Sequence, residues 1–118
     1  MNRRSELNQQ YKEIKIESGV YQIRNTVNGK VWVAGTNNFK TMNGKRFELQ
    51  MNTSYNKELQ QDWNEYGEDA FVFEILETIE VKPDPYFDLK DAVRKREAHW
   101  LETLNPFGDR GYNTPKPN

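Results

Sequence analysis

The chain has 118 residues, 30% of them charged, with one histidine, no cysteine and a formal net charge of −1. That length suits one domain with a modest core, the missing cysteine excludes disulfides and thiolate metal sites, and the near-zero charge gives no global drive toward nucleic acid. No stretch nears the roughly 18 apolar residues of a membrane span, and MNRRSELNQQYKEIK has no apolar secretion-signal core, so a cytoplasmic protein without a membrane partner is expected.

Residues 3 to about 16 put Leu7, Tyr11 and Ile14 at helical spacing, and Ser18-Gly19 ends that segment. In SGVYQIRNTVNGKVWVAGTNN, two strand-prone runs, Val20 to Val27 and Val31 to Thr36, flank Asn28-Gly29. Asn-Gly between such runs predicts a hairpin, because a two-residue type I′ turn needs positive φ at both central positions. In that register Tyr21 and Trp32 share a face. A polar loop is expected from Thr36 to Lys45 and a short helix around Lys45 to Met51. A second helix carries Leu59, Trp63 and Tyr66 at i, i+4 and i+7, with Gly67 as its stop.

Ala70 to Glu77 reads as a strand that can run on to Val81, and Pro83-Asp84-Pro85 breaks the chain. A long amphipathic helix follows from Leu89 to Leu104, before the Pro106, Gly108 and Gly111 breakers. This order predicts an α+β fold, a small three-stranded antiparallel sheet flanked by helices, with an extra N-terminal helix.

Several residues break their local rule. Glu97 lies four after Val93 and four before Leu101, on the apolar stripe of the last helix with Trp100 and Leu104. An ionised carboxylate on a buried face needs a metal, an arginine or hydrogen-bond donors to compensate it. Arg46, among Met42, Leu49 and Met51, could clamp a phosphate through its planar fork or could simply cover core with its stem.

His99, the lone histidine, points away from the stripe, and Arg94-Lys95-Arg96 reads as a solvated helix turn. With a single histidine, a metal site would be built mainly from oxygens, which suits Mg²⁺ or Mn²⁺. Trp63, Tyr66, Phe71 and Phe73 fall at core spacing. Charge is divided unevenly: to residue 46, nine basic residues face three acidic ones, and thereafter eight face fifteen. A basic N-terminal half can present a local phosphate-binding face.

The ordered set Gly19-Val20-Tyr21, Trp32-Val33-Ala34, Arg46, Glu97 and Gly111-Tyr112-Asn113 resembles the GIY-YIG nuclease family. WNEYGEDAFVFEILE and KREAHWLETLNP are similar to the family's middle segment and its glutamate helix. The resemblance divides the chain into an N-terminal helical extension (1–17), a GIY-YIG-like domain (18–113) and a flexible tail (114–118). It implies a metal-dependent endonuclease hydrolysing DNA phosphodiester bonds, with one Mg²⁺ or Mn²⁺ held by Glu97. Tyr21 would position or deprotonate the attacking water, Arg46 would stabilise charge on the phosphoryl oxygens, and Asn113 would orient a side chain or phosphate.

Trp32 stands where the family has its second tyrosine, Ala34 where it has glycine (with Gly35 next), and Gln50 where many members carry histidine. Members often use attached domains for targeting, so a protein partner is a possible source of specificity. The alternatives are a catalytically weak or inactive module binding nucleic acid or a protein, and a plain structural domain in which Glu97 pairs with Arg46 in a closed core.

Overall fold

The computed structural model describes residues 16–114, so the expected N-terminal helix and the tail beyond 114 lie outside the described residues. The elements are β1 (Ser18–Asn25), β2 (Val31–Thr36), α1 (Thr41–Gln50), α2 (Lys57–Tyr66), β3 (Phe71–Ile79) and α3 (Leu89–Leu104). The strands form the expected antiparallel sheet in the order β2-β1-β3, which leaves β2 and β3 as edges. One face packs against α1 and α2 through Tyr21, Ile23, Leu49, Leu59, Trp63, Phe71 and Tyr112. The glutamate helix α3 packs against β1 and β2.

The hairpin turn differs from expectation. Asn28-Gly29 lies inside a four-residue loop, closed by Asn25 N–H to Lys30 O at 2.9 Å, and among its non-glycine residues none has positive φ. Local side chains explain this. Asn25 Oδ1 accepts from Val27 N, Asn28 Oδ1 accepts from Lys30 N, and Thr26 donates from both its backbone and its hydroxyl to Ala70 O. Those bonds satisfy the loop backbone without a type I′ turn. The register therefore slips by two, pairing Tyr21 with Ala34 and Ile23 with Trp32. A two-residue slip keeps every side chain on its face, and the Tyr21 and Trp32 rings meet edge-on with centroids 6.0 Å apart.

On the other side of β1, pairing jumps from Val20–Glu77 to Tyr21–Ile75, a bulge that re-aims the strand at the tyrosine. Gly19 permits the approach just before it: a Cβ there would lie 2.0 Å from Glu77 O.

Helix α1 begins at Thr41, earlier than expected, so Asn43 and Gly44 are helical. Phe39 and Met42 pack against the core, and this burial outweighs the poor helix propensity of Asn-Gly. Helix α2 is capped by Asn56, whose Oδ1 accepts from Leu59 N, and stops at Gly67 with φ 87°. Trp63 and Phe71 are buried, whereas Tyr66, the last residue of α2, is exposed. Helix α3 has the expected bounds, from the Asp88 cap to the left-handed Asn105. None of the described helices is long and apolar enough to cross a membrane.

Candidate active site

Glu97 is held at the outer edge of β2. Its Oε2 accepts from the Gly35 N–H at 2.6 Å, so the compensating partner is a backbone donor and not an arginine. This charge-assisted bond fixes the carboxylate plane. Among the described residues Oε1 takes no hydrogen bond, and no buried side-chain oxygen or nitrogen is left unpaired, so Oε1 faces solvent. Gly35 makes this approach possible: a Cβ there would sit 2.7 Å from Val93 Cγ1 and 3.1 Å from Glu97 Oε2.

Tyr21 comes from the centre of β1. Its ring is buried, its hydroxyl has no hydrogen-bond partner among the described residues, and it lies near enough to Glu48 and Glu97 to feel their charge. Burial, then the nearby carboxylates of Glu48 and Glu97, push its pKa well above the usual phenol value. Tyr21 is therefore a neutral phenol at physiological pH.

Sequence reasoning missed Glu48 and Lys45. The Lys45 ammonium lies 5.4 Å from the centroid of Trp32 and 3.4 Å from Glu48 Oε2. The i, i+3 pair turned toward the sheet beside buried Leu49 was the available signal, but the early start of α1 hid its phase.

Tyr21, Trp32 and Glu97 are thus brought together, with Lys45 and Glu48 added. Arg46 and Gln50 point elsewhere. The Arg46 guanidinium lies 4.5 Å from the centroid of Phe73 and forms no ion pair among the described residues. Gln50 Nε2 donates to Glu68 Oε1 at 2.7 Å. The closed-core arrangement of Glu97 with Arg46 is therefore absent among the described residues.

Asn113 uses its whole amide on β2: Oδ1 accepts from Val33 N and Nδ2 donates to Val33 O, both at 2.8 Å. Tyr112 beside it is buried, donates its hydroxyl to Asp62 and takes a bond from Asn25. The run Arg94-Lys95-Arg96 divides: Arg94 and Lys95 are exposed and pair with Asp91, while half-buried Arg96 binds Glu77 at 2.9 Å. His99 is exposed, and no group of three or more histidine, cysteine or acidic residues that could hold a metal occurs among the described residues.

No protein-family model matches the chain. Over 99 residues, 83% of its length, it is 35% identical to intron-associated endonuclease 1 of Enterobacteria phage T4, and it spans 37% of that protein. The catalytic domain of homing endonuclease I-TevI matches its fold with a TM-score of 0.66 at 33% identity, over 84% of this chain and 99% of that one. A glutamate-to-alanine variant of the same catalytic domain gives a TM-score of 0.66 at 34% identity, over 83% and 93%. The chain belongs to the GIY-YIG nuclease family.

As a GIY-YIG domain it has a distinctive second motif. Trp32 occupies the face of the second tyrosine, while the close approach to the glutamate falls on Gly35, three residues later. Ala34, between them, pairs with Tyr21 across the sheet and lies on its face.

Proposed function

We propose that this GIY-YIG domain is an endonuclease hydrolysing DNA phosphodiester bonds, with one divalent cation, Mg²⁺ or Mn²⁺, at Glu97. The observation that carries this reading is the Glu97 carboxylate, pinned through one oxygen and open through the other, beside the hydroxyl of Tyr21. A single carboxylate suits Mg²⁺, which keeps most of its water ligands and dehydrates reluctantly. The bound cation would neutralise charge on the phosphate and on the leaving sugar oxygen.

The protein's own groups supply the rest. The Tyr21 phenol, neutral at working pH, accepts a hydrogen bond from the water and orients it, so that its oxygen forms the new bond to phosphorus as the P–O bond to the sugar breaks. Glu48, whose charge acts on Tyr21, is the nearby carboxylate that would take up the proton released from the water. Lys45 faces the same opening and stabilises the non-bridging oxygens as their charge grows. Arg46, unpaired among the described residues, contacts the DNA backbone farther along α1. Asn113 supports the site by fixing β2.

The test is cleavage of supercoiled and linear DNA in Mg²⁺, in Mn²⁺ and in chelator, with wild type and Glu97→Gln. Glutamine keeps an acceptor for Gly35 N–H but removes the charge, so folding should persist while the rate falls by about 100-fold or more. Undiminished cleavage by the variant, or cleavage in chelator, would sink the reading. Trp32 favours one second reading, a DNA-binding module without turnover, since an indole N–H donates but cannot accept. Salt-sensitive DNA binding without cleavage in either metal would establish that reading instead.

A further inference from the structure

A cavity of about 470 Å³, lined by Trp32 but by neither Tyr21 nor Glu97, lies between β2, α1 and the start of α2. Its apolar lining comes from Ile23, Leu49 and Leu59, all buried in the core. Trp32 and Tyr112 add flat aromatic surface, and Tyr55 stands at the mouth with 92% of its surface exposed. Lys45 and Lys57 also line it, as does Glu58, whose carboxylate is paired with Lys30. No packing need of the fold explains an almost fully exposed tyrosine beside two lysines at an apolar opening.

A planar apolar ring system attached to a phosphate matches this combination. The volume falls in the ordinary range for small-molecule sites, roughly 300–1,000 Å³. Bases taken out of the stack are held between aromatic and apolar side chains, and sequence-tolerant single-strand binding uses the same contacts. Two residues tie the cavity to the reaction site. Trp32 touches Tyr21 on one side and lines the cavity, and Lys45 faces both.

We propose that this cavity receives one unstacked base of the bound DNA strand, from a nucleotide adjoining the phosphate at Glu97. The placement of that strand rests on the nuclease reading, whereas the affinity of the cavity for a base does not. Trp32 then serves as a stacking wall, a role that indole fills better than phenol through its larger face. The Trp32 substitution thereby gains a function in base capture.

The experiment titrates the 118-residue protein with deoxyadenosine 5′-monophosphate and, separately, with deoxyribose 5-phosphate, following the Trp32 indole and the Leu59 amide by NMR. Saturable shifts with the nucleotide and none with the sugar phosphate support the proposal. Equal shifts with both overturn it, since the cavity would then read only the anion. Tyr55→Ala, at an exposed position that leaves the core intact, should weaken nucleotide binding by about 5- to 10-fold.

A second arm places 2-aminopurine at successive positions along a DNA strand whose cleavage point has been mapped. One position beside the cut should change fluorescence on binding, and that change should shrink in Tyr55→Ala. Cleavage without base-dependent shifts removes the cavity proposal and leaves the nuclease reading intact. Base-dependent shifts without cleavage in either metal support the cavity and remove the nuclease reading.

Discussion

Replacing Gly35 with alanine adds one methyl group where two elements meet. The new Cβ would lie 2.7 Å from Val93 Cγ1, 3.1 Å from Glu97 Oε2 and 3.2 Å from Glu97 Cβ. Val93 is buried and cannot swing away, so α3 must move off the edge of β2. Overpacking of this kind costs about 1–3 kcal/mol. Weakening the charge-assisted bond from Gly35 N–H adds part of a further ~1.5–3 kcal/mol. Restricting the unfolded chain returns about 0.4–1 kcal/mol. The net expectation is a destabilisation of about 1–4 kcal/mol, or roughly 4 °C in Tm per kcal/mol, with a rate loss larger than any unfolded fraction explains. Thermal melts with single-turnover cleavage at a temperature where both proteins are folded would measure the two effects separately. The control is Gly44→Ala in α1, where nothing lies within 4 Å of the added Cβ. There the same change should stabilise by about 0.5–1 kcal/mol. A Gly35→Ala protein with wild-type Tm and wild-type cleavage would refute the claim that this glycine seats the glutamate.

The other expectations concern separate parts of the site. Lys45→Ala should lower the single-turnover rate by about 100-fold, whereas Arg46→Ala should mainly weaken DNA binding and reduce its salt slope by about one; equal rate losses would contradict the assignment. Asn113→Asp can still accept from Val33 N but no longer donates to Val33 O, so the denaturant midpoint should fall by the equivalent of about 1–3 kcal/mol with the m-value unchanged. At high pH the folded state keeps phenol protons that the unfolded chain releases above about pH 10. Burial, then Asp62, pushes Tyr112 up to about 12, and burial with Glu48 and Glu97 raises Tyr21. Their stabilisation is complete below pH 10 and lost as pH rises through the folded values, so Tyr112→Phe should flatten the decline measured by denaturation between about pH 10 and 12.

What could be read from the sequence depended on whether local pattern or distant contact decides a residue's place. The bounds of α3 and the anomaly of Glu97 follow from 3.6-residue periodicity, which the cap at Asp88 and the stop at Asn105 reinforce. The shared face of Tyr21 and Trp32 was legible because parity survives a slip of two, although the turn itself was not. That turn is decided by Thr26 reaching Ala70, 44 residues away, which no window around Asn28-Gly29 contains. The start of α1 was hidden for a similar reason: Phe39 and Met42 pack against a core assembled from other elements. With the helix phase unknown, Arg46 was the residue that stood out. The structure instead turns Lys45 and Glu48 toward Tyr21 and lays Arg46 over Phe73.

The edge of β2 gives one physical reason for the spacing of the family's signature residues. In an antiparallel edge strand, alternate residues turn their N–H and C=O away from the sheet, and unpaired groups there must be satisfied. Along β2 the outward residues are Val31, Val33 and Gly35. Val31 O accepts from Tyr112 N, the Asn113 amide brackets Val33, and Glu97 Oε2 takes Gly35 N–H. Each odd position is thus filled by a motif residue from later in the chain. Ala34 could not seat the glutamate, because it faces β1 and sits opposite Tyr21. The glycine that seats the glutamate must therefore stand at an outward position, here 35. Trp32 keeps its even position and therefore its place beside Tyr21. The asparagine and the glutamate are linked through this edge: loosening Val33 should displace Gly35, and with it the carboxylate on which the proposed chemistry depends.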